Sequence, residues 1–220
     1  MLEPATSHKG NVQLGVGIKL PTGNYNYHDY FYKKADSSVL GPVDQSIQPG
    51  DGGTGITFEI NTFYNFTHKL GLYGNFFYLS NPREVNGTST TRGGIASVTA
   101  KKYNTDVMSV PDLFMARAGF AYMINQLTFS AGARIEGLPS KDIIGGSRGF
   151  RRPGYIITAE PTITWVIKKT SFSFAVPVAH VRNRTQSNSD KRQTTDTGIY
   201  KQGDAAFADY SVNVGCTVKF

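Results

Sequence analysis

Apolar and polar residues alternate along this chain with a period of two. Residues 11–20, NVQLGVGIKL, place Val12, Leu14, Val16, Ile18 and Leu20 on one side of an extended backbone, with Asn11, Gln13, Gly15, Gly17 and Lys19 on the other. Residues 54–67 repeat the pattern: Ile56, Phe58, Ile60, Tyr64 and Phe66 oppose Thr57, Glu59, Asn61 and Asn65. Comparable segments cover 70–80, 113–124, 126–138, 155–167, 171–182 and 207–220, which predicts about eight strands. No segment shows convincing helical periodicity. Pro161 and Pro177 fall inside two of the strands. A proline cannot donate to a ladder, so each predicts a bulge or local break, and side-chain direction after Pro177 is left open.

Alternation alone does not say which face meets water, because a soluble lipocalin-like barrel alternates with its apolar face inward. Three features favour the opposite arrangement. The polar faces carry Gly, Ser, Thr and Asn together with Lys19, Glu59, Asn61, Arg117, Arg134, Glu136 and Glu160. These suit a hydrated or hydrogen-bonded lumen, and the Phe, Tyr, Leu and Ile of the other faces suit lipid. The connections alternate short (67–69, 125–126, 168–170) and long (21–53, 83–111, 139–153, 183–206), as in outer-membrane barrels. The last residues, ADYSVNVGCTVKF, put Tyr210, Val212, Val214, Cys216, Val218 and Phe220 at every second place. This is similar to the carboxyl-terminal signal read by the barrel-assembly machinery; its bland reading is an ordinary last strand. The expected fold is therefore all-β: one domain forming an antiparallel up-and-down transmembrane β-barrel in a bacterial outer membrane. Residues 1–10 lead in from the periplasm, both termini lie on that side, and the long loops face outward. Tyr64, Phe66, Tyr122 and Trp165 near the short turns, and Phe76, Tyr78 and Tyr155 nearer the long loops, are placed for the two membrane interfaces.

Composition fits this picture. Charged residues are 18% of the chain and aromatics 12%, with 24 glycines, a profile low in charge and high in turn formers. No run of about 20 apolar residues occurs, which excludes a transmembrane helix, whereas a mean hydropathy of −0.29 is compatible with spanning strands in which only alternate residues are apolar. Twenty-three Lys and Arg against 16 Asp and Glu give a net charge of +7. The cations are scattered, without a basic run or an RNA-binding aromatic pattern, so nucleic acid is not the expected partner. The single cysteine, Cys216, forms neither an internal disulfide nor a zinc site. Residues 1–11, MLEPATSHKGN, lack the basic start and apolar core of a signal peptide. An exported barrel then needs residues upstream of Met1, supplying a signal, further strands or both.

The inward charges are the principal candidate site. Arg117, Arg134 with Glu136, and Glu160 fall on three successive strands and can meet across a lumen. The bland reading is a structural ion-pair plug, since a small barrel cannot leave such charges unpaired; the sharper one is a charged constriction that selects solutes. Lipid-modifying catalysis in a barrel would need a histidine oriented by a carboxylate near the outer rim. His28 beside Asp29, and His180 near the outer end of a strand, are the candidates; His8 and His68 fall on the other side. Adjacency alone does not make a site, so no enzymatic activity, cofactor or metal is expected. Lys141, Arg148, Arg151 and Arg152 can equally touch lipopolysaccharide phosphates or stay solvated.

Three stretches carry a family resemblance. GVGIKLPTG at 15–23, QPGDGGTGITFEI at 48–60 and FAVPVAHVRNR at 174–184 resemble segments of the outer-membrane β-barrel family of transporters linked to the meta-pathway of phenol degradation. The resemblance implies a channel for small, in some cases hydrophobic, molecules. It also implies more strands upstream of the PTG element, for a barrel of about 12 strands rather than about eight. No catalytic residue is implied. Two readings of function stand beside each other: passage of small solutes through the lumen, or a closed structural or binding barrel acting through loops 21–53 and 183–206. Lipid modification is a third.

Overall fold

The computed structural model describes residues 8–204 and 207–219. It is all-β, with 52% of residues in strands against 9% in helices, and every strand pairing within its sheets is antiparallel. The main sheet is built from β1 (Gly10–Lys19), β4 (Gly55–Asn65), β5 (Leu70–Ser80), β8 (Leu113–Ile124), β9 (Leu127–Leu138), β11 (Thr162–Ile167), β12 (Thr170–Ala175) and β14 (Asn213–Val218), neighbours in that order. Two further strands, β10 (Gly154–Ala159) and β13 (Val178–Arg184), continue the wall above β11 and β12, with β10 laddered to both β9 and β13. The sheet forms a half-barrel: among the described residues β1 ladders only with β4 and β14 only with β12.

The two expected strands at 155–167 and 171–182 are each divided. Pro161 separates β10 from β11 and Pro177 separates β12 from β13, because neither nitrogen carries a hydrogen for the ladder. The breaks are adjacent, with Val176 N donating to the Pro161 carbonyl and Ser211 N to the Pro177 carbonyl. The β10–β13 register shifts between Ile157 and Thr158, so direction changes within β13 as well. The last strand is shorter than 207–220: Tyr210 makes one isolated bridge to Val178, and regular pairing begins at Asn213. Phe220 lies outside the described residues.

Pairing keeps the two faces in phase from edge to edge. Leu14, Ile60, Phe76 and Ala116 succeed one another across β1, β4, β5 and β8, and Tyr122, Phe129, Ile163, Phe174 and Val214 across β8 to β14. These apolar residues form the exposed face; Val16 and Val214 are each 77% exposed. The opposite face carries Gln13, Asn61, Asn75, Arg117, Arg134 and Thr158. Short connections join the strands at one end. Asn125 and Lys168 turn the chain there with φ of 53°, a left-handed conformation that asparagine accepts more readily than lysine.

The long connections at the other end are not plain loops. Within them lie a hairpin of β2 (His28–Lys34) and β3 (Ser37–Pro42), and a small pair of β6 (Val85–Ser89) and β7 (Val107–Ser109). They also hold two helices, α1 (Val98–Lys102) and α2 (Asn188–Thr197), where no helical periodicity was expected. Helix α2 is polar all round and depends on its ends. Ser187 and Asp190 form a capping box, and Gly198 closes the helix in the left-handed region with φ of 69°. This cap holds most of the buried apolar side chains: Val43, Tyr103, Met108 and Val110, with Leu79 reaching up from the wall.

Candidate functional site

The polar face of the wall brings four expected residues together. Arg117 of β8 reaches Glu160 at 3.3 Å, and Arg134 of β9 reaches Glu136 at 3.1 Å and Glu160 at 3.6 Å. Glu160 is central because of the break beside it. It sits in the two-residue gap between β10 and β11, where its amide still donates to the Gly132 carbonyl and its side chain is almost wholly buried. Two guanidinium groups and two carboxylates cancel in formal charge. A carboxylate that buried requires such partners, since an isolated buried charge is very costly. Arg134 Nε, Glu160 Oε2 and the neighbouring Thr158 Oγ1 are buried without a protein hydrogen-bond partner, while the Arg117 side chain remains 41% exposed.

A tyrosine lies beside this cluster. Gly119 and Gly132 face each other across β8 and β9, and a Cβ on either would stand 2.6 Å from the Tyr73 hydroxyl. The two glycines thus leave room for Tyr73 to lie over the wall beside Arg117 and Glu160. Sequence reading passed over Tyr73. The signal available was two glycines at equivalent places on strands joined by a two-residue turn.

The other expected residues lie apart from the cluster. Asn61 receives a hydrogen bond from Asn75 Nδ2. Glu59 pairs in register with Gly15 and Phe77. Lys19 ends β1 at the cap, where it is ion-paired with Asp51 and donates to Asn81 Oδ1 at 3.0 Å. Tyr210, Val212, Val214 and Val218 are exposed, as is Cys216.

The cap is dense in polar contacts that sequence reading did not find. Arg151 makes a two-pronged pair with Asp142, at 2.8 and 2.6 Å, and both side chains are fully buried. Asp142 also accepts from the Asp112 amide; Asp112 in turn accepts from the Asn81 amide, the Ile143 amide and the Tyr78 hydroxyl. Arg152 grips Asp44 with both terminal nitrogens, which holds the Asp44 carboxyl well below the usual carboxylate range. Arg148 on Glu84 lowers that carboxyl too. Three of the four basic residues considered for lipopolysaccharide are therefore committed to carboxylates of this chain, and Arg151 has no exposed side chain. A cavity of about 630 Å³ opens among these loops, lined in part by Asp44, Arg92, Phe150, Arg152 and Lys201. His28 contributes Nδ1 to a 2.8 Å contact with the Asn26 carbonyl oxygen, and Asp29 Oδ1 accepts from the Tyr30 amide. His180 lies exposed in β13.

No family model and no curated protein matches the chain.

Proposed function

We propose that this chain forms the wall of a bacterial outer-membrane β-barrel that passes small solutes across the membrane. The observation that carries the reading is the orientation of the sheet. Its large apolar side chains, Val12, Leu14, Val16, Ile18, Ile56, Phe58, Tyr122, Phe129, Trp165 and Phe174, are exposed, while the Glu160 carboxylate that two arginines share is almost wholly buried. In water that arrangement leaves a very large apolar surface uncovered. In a bilayer it is the low-energy one. The strands of 10 to 12 residues are long enough to span hydrocarbon at a tilt. Tyr64 and Phe66, stacked edge to face at 5.4 Å beside a short turn, fit the periplasmic interface. In this reading the short turns and both termini are periplasmic, and the cap lies outside among lipopolysaccharide. The cluster of Arg117, Arg134, Glu136 and Glu160 then narrows and charges the lumen. The resemblance to transporters linked to phenol degradation points the same way.

Planar-bilayer recording tests the proposal. Purified protein is expected to give discrete conductance steps, and Glu160→Gln, which leaves two arginines facing one carboxylate, should shift reversal potentials towards anion selectivity. A folded, inserted and electrically silent protein would overturn it.

A second reading is favoured by the cap. With Arg152–Asp44 and Arg148–Glu84 tying three loops together and Arg151–Asp142 fastening one of them internally, the barrel can serve as a closed support that binds a partner through its outer surface. It predicts binding without conductance, unaffected by Glu160→Gln.

A further inference from the structure

We propose that the cavity in the cap binds a small organic carboxylate, whose negative charge is matched by Arg92 and Lys201 while its apolar part rests against Val43, Met108 and Phe150. The inference stands on the cap alone and goes beyond the solute passage proposed above. At about 630 Å³ the cavity falls within the size range of small-molecule sites. Its lining joins an apolar side to a few polar groups, as such sites do. Val43 and Met108 are buried, and the Phe150 ring lies under the Arg152 guanidinium at 5.0 Å.

The charges around this cavity are unevenly matched. Three carboxylates line it, and each is already engaged by the chain itself. Asp44 is gripped by Arg152, Asp204 pairs with Arg184 at 3.1 Å, and Asp190 accepts from the Ser187 and Gly203 amides. Two cations of the lining, Arg92 and Lys201, have no carboxylate partner among the described residues. Both are nevertheless held in place. Gly41 lets the β2–β3 hairpin approach so closely that a Cβ there would stand 2.8 Å from the Arg92 Cα, and the Arg92 guanidinium carbon lies 4.5 Å from the centroid of the Phe31 ring. The Lys201 amide donates to Thr194 Oγ1 at 2.9 Å, and its carbonyl accepts from Gln186 Nε2. The side-chain N–H groups of these two residues have no protein acceptor among the described residues, so they are free to donate to an anion. A carboxylate suits the site better than a phosphate. Asp44, Asp190 and Asp204 around the same cavity repel a second negative charge, and the apolar side favours a ligand with a hydrocarbon body.

Equilibrium dialysis of the folded chain in detergent against labelled hexanoate tests the proposal, with protein-free micelles as the background. Saturable binding is expected, with hexanol and inorganic phosphate each roughly tenfold weaker or worse. Arg92→Gln and Lys201→Gln should each weaken hexanoate by about tenfold, the fold-change of one charge-assisted hydrogen bond. Arg92→Lys, which keeps the charge, should recover part of that loss. Lys33→Gln, in the hairpin and outside the cavity, should leave the affinity unchanged. Limited proteolysis reports the fold of the cap in every variant; if Arg92→Gln loosens it, Lys201→Gln carries the test alone. A folded protein that takes up no hexanoate above background would overturn the proposal. So would hexanol bound as tightly as hexanoate, since the charge would then go unread, or phosphate bound as tightly, which would give the site to phosphate-bearing ligands. Hexanoate affinity unmoved by the substitutions in a folded cap would place the carboxylate elsewhere and overturn it too.

Discussion

The wall and the cap solve the burial problem in opposite ways. The wall turns its large apolar side chains outward and buries Glu160 on its other face, so among the described residues it is held chiefly by the backbone ladder and the cluster around Glu160. The cap is organised like a water-soluble domain. Val110, Met108 and Tyr103 are buried within it, and around them Asp112, Asp142 and Arg151 are buried with nearly every polar atom paired. One chain therefore follows two burial rules, and the boundary lies where Lys19, Leu79, Asn81 and Asp112 meet at the ends of β1, β5 and β8. On the membrane reading proposed above, the contrast means a fold specified for two media, and the two regions should fail under different insults.

The largest effect is expected in the cap. Asp142→Ala leaves the Arg151 guanidinium buried without a counter-charge and deprives the Asp112 amide of its acceptor. Breaking one side of a buried pair costs about 3–5 kcal/mol. Limited proteolysis should then cut within 139–153 at least a hundredfold faster, while fluorescence of Trp165, the only tryptophan and one placed in the wall, reports an unchanged sheet. Equal loss of both signals would show that wall and cap are a single cooperative unit.

The next effect belongs to the wall. Ile60 lies mid-strand on the apolar face, between Leu14 and Phe76. Ile60→Arg should destabilise the protein in lipid by about 2–4 kcal/mol, the cost of a basic residue near the bilayer midplane. In water an arginine at an outward position is nearly neutral. Urea unfolding from vesicles decides between them: an unshifted midpoint would break the contrast between the two regions and the membrane reading with it.

The wall was legible in the sequence and the cap was not, for physical reasons. A strand with one apolar face writes its period into consecutive residues, so Val12 to Ile18 or Ile56 to Phe66 can be read without neighbours. Pro161 and Pro177 marked the breaks in advance because a missing N–H is a local property. The cluster of Arg117, Arg134, Glu136 and Glu160 was also within reach, since phase and strand order bring those residues to one face. What the phase could not give is that Glu160 occupies the gap itself, buried by the break. In the cap, Asp44 meets Arg152 from 108 residues away and Gln45 donates to the Phe150 carbonyl from 105. Such pairings leave no local period. Helix α2 was missed for a related reason: a polar helix held by a capping box and Gly198 has no apolar stripe, and its signal, Ser187 followed by Asp190 and then a glycine, is easily taken for loop chemistry.

The smallest expected effect is a graded response to acid, and it too should separate the two regions. The Asp44 and Glu84 carboxyls are held below their ordinary values by Arg152 and Arg148. A carboxyl whose folded value is depressed stabilises the fold above its unfolded value, about 4, and loses that contribution as pH falls through the folded one. Arg152 and Arg148 stay charged throughout, so only the carboxylate halves of these pairs titrate. Between neutrality and about pH 5 the cap should not change. Below about pH 4 it should loosen progressively, seen as faster hydrogen exchange in 42–47 and 83–90. Removal of one pair by Asp44→Asn should flatten that dependence in 42–47 and leave it in 83–90, where Glu84 still titrates. The outward faces of β4, β5 and β9 carry no acidic, basic or histidine side chain, and Tyr78 meets Asp112 at the cap end of β5 rather than at its centre, so exchange at the centre of these strands should remain slow through the same range. Protection lost in the wall at the same pH as in the cap would mean that the two regions, unlike in what they bury, are nonetheless held by the same contacts.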